Sequence, residues 1–174
     1  MKSIARRRLL AVPLSLSVLL AGCGWEPLYA DHETSAASAE LRAIRVGPIA
    51  EHSGQKLEFG LRQSLNPNEE PTPQKYLLKI VTVRGVSDLG IQSQGLGTRG
   101  EVTLVASYQL IDIKTNATLQ TGAVHATDSF DIQANGYSTV VAQEDAYTRN
   151  VEEIRREIVA RLTLFFQNKA VAAS

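Results

Sequence analysis

The only cysteine of the chain, Cys23, ends a short basic and apolar leader, and this arrangement limits where a folded domain can begin. Residues 2–8 carry four basic side chains and no acidic one, and residues 9–20 are almost entirely apolar. A positive segment, a short apolar segment and small residues before a cleavage point are typical of a secretory signal peptide. The apolar segment is shorter than the ~20 residues that a membrane-spanning helix needs. We therefore predict that residues 1–22 are a signal peptide and are removed.

The four residues that end at Cys23 read Leu-Ala-Gly-Cys, which is the pattern of a bacterial lipobox. This pattern implies that lipid is attached to Cys23, that cleavage occurs before it, and that the new amino terminus is acylated. Several acyl chains on one residue anchor a protein stably, whereas a single chain binds a membrane only marginally. Residues 30–40 are small and polar. We therefore predict that residues 23–40 form a lipidated amino terminus and a flexible linker.

An apolar, proline-containing segment follows the cysteine directly and contains Trp25, Pro27, Leu28 and Tyr29. Tryptophan and tyrosine favour the headgroup region of a bilayer. The segment is therefore either a tether at the membrane surface or a short docking motif, and the residues leave both interpretations open.

Charge and cysteine content restrict the function of the remainder. Residues 1–22 hold four of the 18 basic residues and none of the 18 acidic ones, so residues 23–174 have a formal net charge of −4. Nucleic-acid binding requires a basic surface, and we do not expect it of this mildly acidic domain. Because there is one cysteine, neither a disulfide framework nor a thiolate metal site can form.

The chain after residue 40 shows strand and helix periodicities in the order β-α-β-β-β-α. We predict strands over 41–49, 76–86, 101–113 and 118–132, and helices over 55–65 and 139–169. One amphipathic sheet packed against two amphipathic helices is a two-layer sandwich. The predicted fold is therefore a single α+β domain over residues 41–169, with a mostly antiparallel four-stranded sheet and a frayed tail over 170–174.

The clearest strand and the longest helix both separate an apolar face from a polar one. The apolar face of the strand carries Val102, Leu104, Ala106, Tyr108 and Leu110. The predicted core face of the helix carries Val151, Ile154, Ile158, Leu162 and Phe165. A polar second face is typical of an antiparallel sheet that is open to solvent on one side, and a partner can cover such a face. The second strand is rich in β-branched residues, so we expect it to be largely buried.

Patterns that would indicate catalysis are weak in this chain. Residues 95–100 satisfy the GxGxxG pattern, but they lead into a strand, whereas a nucleotide-binding fingerprint follows a strand and opens a helix. No histidine lies at metal-ligand spacing from another, and we interpret His125 as structural. Asp128 and Asp131 are three apart in one predicted strand, so their side chains point to opposite faces and cannot act as a pair. We predict no enzymatic activity, cofactor or metal.

Three basic residues on the predicted central hairpins, Arg84, Arg99 and Lys114, are candidates for contact with a phosphorylated glycolipid. Guanidinium groups bind phosphate oxygens well, which motivates this interpretation. Scattered solvated charges are the simpler alternative.

The decapeptide at 20–29, Leu-Ala-Gly-Cys-Gly-Trp-Glu-Pro-Leu-Tyr, resembles the lipobox and "CGFxPLY" opening of the alphaproteobacterial lipopolysaccharide-assembly lipoproteins, the LptE family. The segment from Thr98 to the turn after Asp112 and the β-α-β-β-β-α order are also similar to that family. Trp25 stands where phenylalanine is commoner, which preserves an aromatic ring. The resemblance covers most of residues 23–174, although its specific part is the decapeptide.

The resemblance implies a non-enzymatic partner of the outer-membrane β-barrel that translocates lipopolysaccharide. It implies lipid attachment at Cys23, a signature at Trp25, Pro27, Leu28 and Tyr29, and contact with lipopolysaccharide without designating the ligands. Such a protein plugs the barrel lumen and assists delivery of lipopolysaccharide to the outer leaflet. Gly24 after the cysteine resembles lipoproteins sorted to the outer membrane, so the implied location is the periplasmic side of that membrane or the barrel lumen.

Two other classes of function remain at this stage. An auxiliary lipoprotein of a lipid-trafficking ABC transporter would also be small, α+β and tethered, but its partners would lie in the inner membrane. A tethered hydrolase would need a nucleophile and a base, and no such pair can be named in the sequence.

Overall fold

The computed structural model describes residues 36–67, 73–88 and 99–173, all of which belong to one compact unit, Thr34–Ser174. The described elements are the helices α1 (Ala36–Arg42), α2 (His52–Leu65) and α3 (Gly136–Ala173), and the strands β1 (Ile44–Val46), β2 (Tyr76–Asp88), β3 (Arg99–Asp112) and β4 (Thr118–Asp131). None of the helices in these ranges combines the length and the apolar character needed to traverse a bilayer.

The four strands form one sheet in the order β1-β2-β3-β4. The strands β2, β3 and β4 are antiparallel, whereas β1 pairs in parallel with β2 through the crossover helix α2. The turn between β3 and β4 begins at Asp112, whose Oδ1 accepts hydrogen bonds from the amides of Lys114 (2.9 Å) and Thr115 (3.0 Å). Asn116 then adopts a φ of 55°, a conformation that asparagine tolerates better than most residues. The predicted α+β sandwich with a mostly antiparallel sheet is confirmed.

The core lies between one face of the sheet and the helices. Val102, Leu104, Ala106, Tyr108 and Leu110 are all buried, as the alternation of the third strand predicts. The α3 side of the main core is formed by Val151, Ile154, Ile158, Leu162 and Phe166. A second, smaller cluster unites Val102 and Phe130 of the sheet with Ala146 and Tyr147 of α3.

Several details differ from the sequence-based expectations. The structure has a third helix, α1, which includes residues 36–40 of the predicted linker, and the first strand is three residues long instead of nine. The last turns of α3 extend to Ala173, into the predicted tail. The core residue near the end of α3 is Phe166, whereas the predicted Phe165 is only partly buried. The second strand is not largely buried: Val81 and Val83 are 67% and 63% exposed, because they point away from the helices.

Candidate functional site

The residues of the predicted lipidation and signature motif, Cys23, Trp25, Pro27, Leu28 and Tyr29, lie outside the described residues. Their predicted roles therefore stay predictions.

The three basic residues proposed from the sequence are not brought together by the fold. Arg99 begins β3, and Lys114 follows its other end. At roughly 3.3 Å per residue, these two positions are about 50 Å apart. Arg99 donates a hydrogen bond to the Ser129 hydroxyl at 2.7 Å on the neighbouring strand. Lys114 lies in the exposed turn that follows β3. One phosphate group cannot bridge these positions, so each would have to act in a separate contact.

Arg84 has a different environment from the other two, because it lies on the helix side of the sheet. Its guanidinium carbon is 3.8 Å from the centroid of the Tyr147 ring, and its Nη2 is 3.8 Å from Oε2 of Glu144. The Tyr147 hydroxyl in turn donates to the carbonyl of Gly85 at 3.0 Å. These contacts hold Arg84 against α3, with 29% of its side chain accessible.

The side of the sheet that faces away from the helices presents an extended surface, which we call the open face. Its central residues on β2, β3 and β4 are Lys79, Val81, Val83, Thr103, Val105, Ser107, Gln109, Thr121, Ala123, His125 and Thr127. Lys79 is the only lysine, arginine, aspartate or glutamate among these eleven residues. By contrast, the exposed surfaces of α2 and α3 carry ion pairs such as Arg62 with Glu58 and Arg161 with Glu157.

The open face combines apolar and hydrogen-bonding side chains in cross-strand rows. Val83, Val105 and His125 are opposite one another on three successive strands. In a neighbouring row, the Thr103 and Thr127 hydroxyl groups are 3.4 Å apart. Depletion of charged side chains is characteristic of the central part of a protein interface. His125 is also exposed on this face, whereas a structural role was predicted for it from the sequence.

Contacts within the domain cover part of one edge of the sheet and one of its ends. Arg161 of α3 donates to the carbonyl of Ala123 at 3.1 Å, which covers part of the β4 edge. At the end of the sheet near α1, Glu40 accepts hydrogen bonds from Lys75 (2.7 Å) and from the Tyr76 hydroxyl (2.8 Å). Burial and the bond to Glu40 raise the pKa of Tyr76 to about 12. Burial acts to raise the pKa of Glu40, but its bonds to Lys75 and Tyr76 outweigh that effect and lower it.

No group of three or more histidine, cysteine, aspartate or glutamate side chains in the described ranges is arranged to hold a metal ion. Asp128 and Asp131 of β4 also do not form a pair, because Asp128 bonds instead to Arg149 of α3. That bond, together with the opposing effect of burial, leaves the pKa of Asp128 below its usual value.

Comparison with known proteins places the fold among bacterial lipoproteins. A lipoprotein from Caulobacter crescentus superposes with a TM-score of 0.61 at 22% identity, over 78% of this chain and 98% of that one. A minor lipoprotein from Acinetobacter baumannii superposes with a TM-score of 0.56 at 12% identity, over 70% of this chain and 90% of that one. The rare lipoprotein B from Shewanella oneidensis superposes with a TM-score of 0.50 at 10% identity, over 75% of this chain and 97% of that one. At these identities the likeness establishes the fold.

No family model matches the sequence. No curated protein matches it either.

Proposed function

We propose that this protein is an outer-membrane lipoprotein that assembles with a β-barrel lipopolysaccharide translocon, plugs its lumen and assists delivery of lipopolysaccharide to the outer leaflet. The observation that carries this proposal is the open face, a broad and charge-poor side of a small domain that shares its fold with bacterial lipoproteins. The lipobox at Cys23 supplies the membrane attachment that such an assembly needs.

The size of the open face favours a partner that surrounds the domain. Three strands about 4.8 Å apart and seven residues at about 3.3 Å each give a face of roughly 300 Å² in projection. A stable interface commonly buries about 800 Å² on each partner. A partner that covers the open face must therefore contact further surfaces, and a barrel that encloses the domain does so.

The chemistry of the domain surface also suits a barrel lumen. Lumen-facing side chains of outer-membrane barrels are polar, and the largest barrels have lumens that are plugged. The threonine, serine and glutamine side chains of the open face can exchange hydrogen bonds with such a wall. The charged side chains of α2 and α3 can face the wetter part of the same lumen.

The test is purification of the affinity-tagged lipoprotein from mildly solubilised outer membranes. We expect a β-barrel protein in about equimolar amount. The Val83→Lys variant should recover about tenfold less barrel, because it places an unpaired charge in the interface, a change worth ~1.4 kcal/mol. Leu164→Lys is the matched control, since Leu164 is similarly exposed, at 57%, but lies on α3.

Two results would contradict the proposal. Purification without any barrel would remove the plug function, and recovery of an inner-membrane ABC transporter component would replace it with the alternative assignment. Equal recovery of barrel with Val83→Lys and with the wild type would show that the open face is not the contact.

A further inference from the structure

The amino terminus of α2 has backbone donors that the helix itself does not use. The first amide with an intrahelical acceptor is that of Gln55, which donates to the Glu51 carbonyl at 3.0 Å. The amides of His52, Ser53 and Gly54 precede it and have no acceptor within the helix. Glu51 is the N-cap residue, and its side chain makes no capping hydrogen bond. The first turn after this N-cap contains no acidic residue, and a negative charge at this end of the helix is favoured by the helix dipole.

A buried hydroxyl group lies in the same turn. Ser53 is 1% exposed, and its Oγ has no hydrogen-bond partner among the described residues. Helical side chains lean toward the amino terminus of their helix, which directs this hydroxyl to the end where the unused amides lie. A buried hydroxyl without a partner costs free energy, so a ligand that accepts its hydrogen bond at this end gains from the interaction.

Three basic side chains converge beside this turn on one carboxylate, that of Glu144 in α3. The Nζ of Lys56 is 3.0 Å from its Oε1, the Nε2 of His52 is 4.0 Å from the same oxygen, and Nη2 of Arg84 is 3.8 Å from Oε2. Lys56 and Arg84 alone outnumber the one carboxylate that they share. The cluster retains excess positive charge, and Tyr147 holds Arg84 in place beneath it.

We propose that the amino terminus of α2 is a binding site for a phosphate monoester group. The amides of His52, Ser53 and Gly54, the Ser53 hydroxyl and the Lys56 ammonium group supply the donors, a combination that suits a phosphate at a helix terminus. When no ligand is bound, the basic side chains contact the Glu144 carboxylate, so a ligand must compete with this carboxylate for them. The phosphate belongs either to a lipid headgroup or to a free anion. The site goes beyond the proposed barrel assembly and does not depend on it.

The experiment is a ¹H–¹⁵N NMR titration of the mature lipoprotein in micelles of a neutral detergent. Inorganic phosphate is the first probe, and phosphatidic acid doped into the micelles is the second. We expect saturable shifts of the His52, Ser53 and Gly54 amides. Lys56→Gln should weaken binding about tenfold through loss of a charge-assisted bond. Lys79→Gln, which removes an equivalent charge from the open face, should leave it unchanged.

The Glu144→Gln variant gives the sharpest test, because it should tighten binding by removing the competing carboxylate. A variant that merely perturbed the packing of α2 on α3 would weaken binding instead. Shifts with phosphatidic acid alone would identify a lipid headgroup as the ligand. Equal shifts with both probes would identify a free anion as the ligand. The proposal is overturned if neither probe shifts these amides, if Lys56→Gln binds as the wild type does, or if Glu144→Gln binds more weakly.

Discussion

The glycine at position 122 allows a tyrosine ring from the neighbouring strand to lie directly against the backbone. Gly122 pairs with Tyr108 across β3 and β4, and a Cβ atom at position 122 would lie 2.7 Å from both Cζ and the hydroxyl oxygen of that ring. Ordinary contacts between carbon atoms are about 3.5–4.0 Å, so an added methyl group cannot fit unless the ring moves. Tyr108 is 2% exposed and has little room to move. We therefore predict that Gly122→Ala destabilises the fold.

The magnitude follows from two opposing contributions. Forcing a methyl group into a packed core costs about 1–3 kcal/mol. Replacing glycine by alanine in a strand returns about 0.5–1 kcal/mol, because the unfolded chain loses conformational freedom. The expected net loss is therefore up to about 2.5 kcal/mol, which for a domain of this size lowers Tm by up to roughly 10 °C.

Urea unfolding followed by circular dichroism measures this loss, and Gly85→Ala is the matched control. At Gly85 the nearest atom to an added Cβ is the Thr103 Cβ at 3.9 Å, an ordinary contact, so this variant should be about 0.5 kcal/mol more stable than the wild type. In a Tyr108→Leu background the penalty of Gly122→Ala should disappear. The packing of the ring on Gly122 is refuted if Gly122→Ala is as stable as Gly85→Ala while the slope of the transition is unchanged.

Three further predictions concern the core, the Glu40 contact and the anchor. Ile158 is completely buried, so Ile158→Asp should abolish the cooperative thermal transition, and an unchanged Tm would contradict the assigned core face. Because the pKa of Tyr76 is raised to about 12 from an ordinary value near 10, its neutral form stabilises the fold fully below pH 10, and this contribution is lost as the pH rises to about 12. Tyr76→Phe should flatten that decline in urea-unfolding free energy, and an identical decline would exclude Tyr76 as its source. Cys23→Ala should yield an uncleaved precursor without acyl chains, whereas normal incorporation of labelled fatty acid would refute the lipobox assignment.

The third strand could be predicted almost completely from the sequence, because its two faces meet different environments. The residues from Val102 to Leu110 alternate between the core and the open face, and the pattern records this alternation directly. The same reasoning wrongly predicted that the second strand is largely buried. Val81 and Val83 are β-branched, but β propensity reflects fit to a pleated surface and does not require burial.

The amino-terminal part of the domain was harder to predict, because tertiary packing determines it. Helix α1 has only seven residues, yet Ala37 belongs to the main core, the partly buried Leu41 packs against that core, and the helix contacts α3. Isolated helices of this length are unstable in water, so the contact with α3 is what selects the helix. The parallel pairing of β1 likewise spans only the three residues Ile44–Val46. At the end of α3, Phe165 and Phe166 both continue the helical spacing, and only the packing on Tyr76 distinguishes them.

The cluster around Glu144 could not be inferred from any local motif. Lys56 and Glu144 are 88 residues apart in the sequence, and Arg84 reaches the same carboxylate from β2. Sequence reasoning identified Arg84 as a phosphate candidate but grouped it with Arg99 and Lys114, which lie elsewhere on the sheet. The predicted helix began at residue 55, whereas the observed one begins at His52, so the first turn and the basic side chains beside it were not recognised from the sequence.

The length of chain between the proposed anchor and the domain determines what can orient the protein at the membrane. Cys23 precedes Ala36 by 13 residues, which span at most about 45 Å when fully extended. The strand β2, with 13 residues, is about 43 Å long. A tether that can be as long as the domain does not by itself select which face meets a partner. Under the proposed function, orientation must then come from the surfaces of the domain, where the charge-poor open face contrasts with the ion-paired helices. Shortening residues 30–35 should therefore leave barrel recovery unchanged under the proposed function, whereas Val83→Lys lowers it about tenfold.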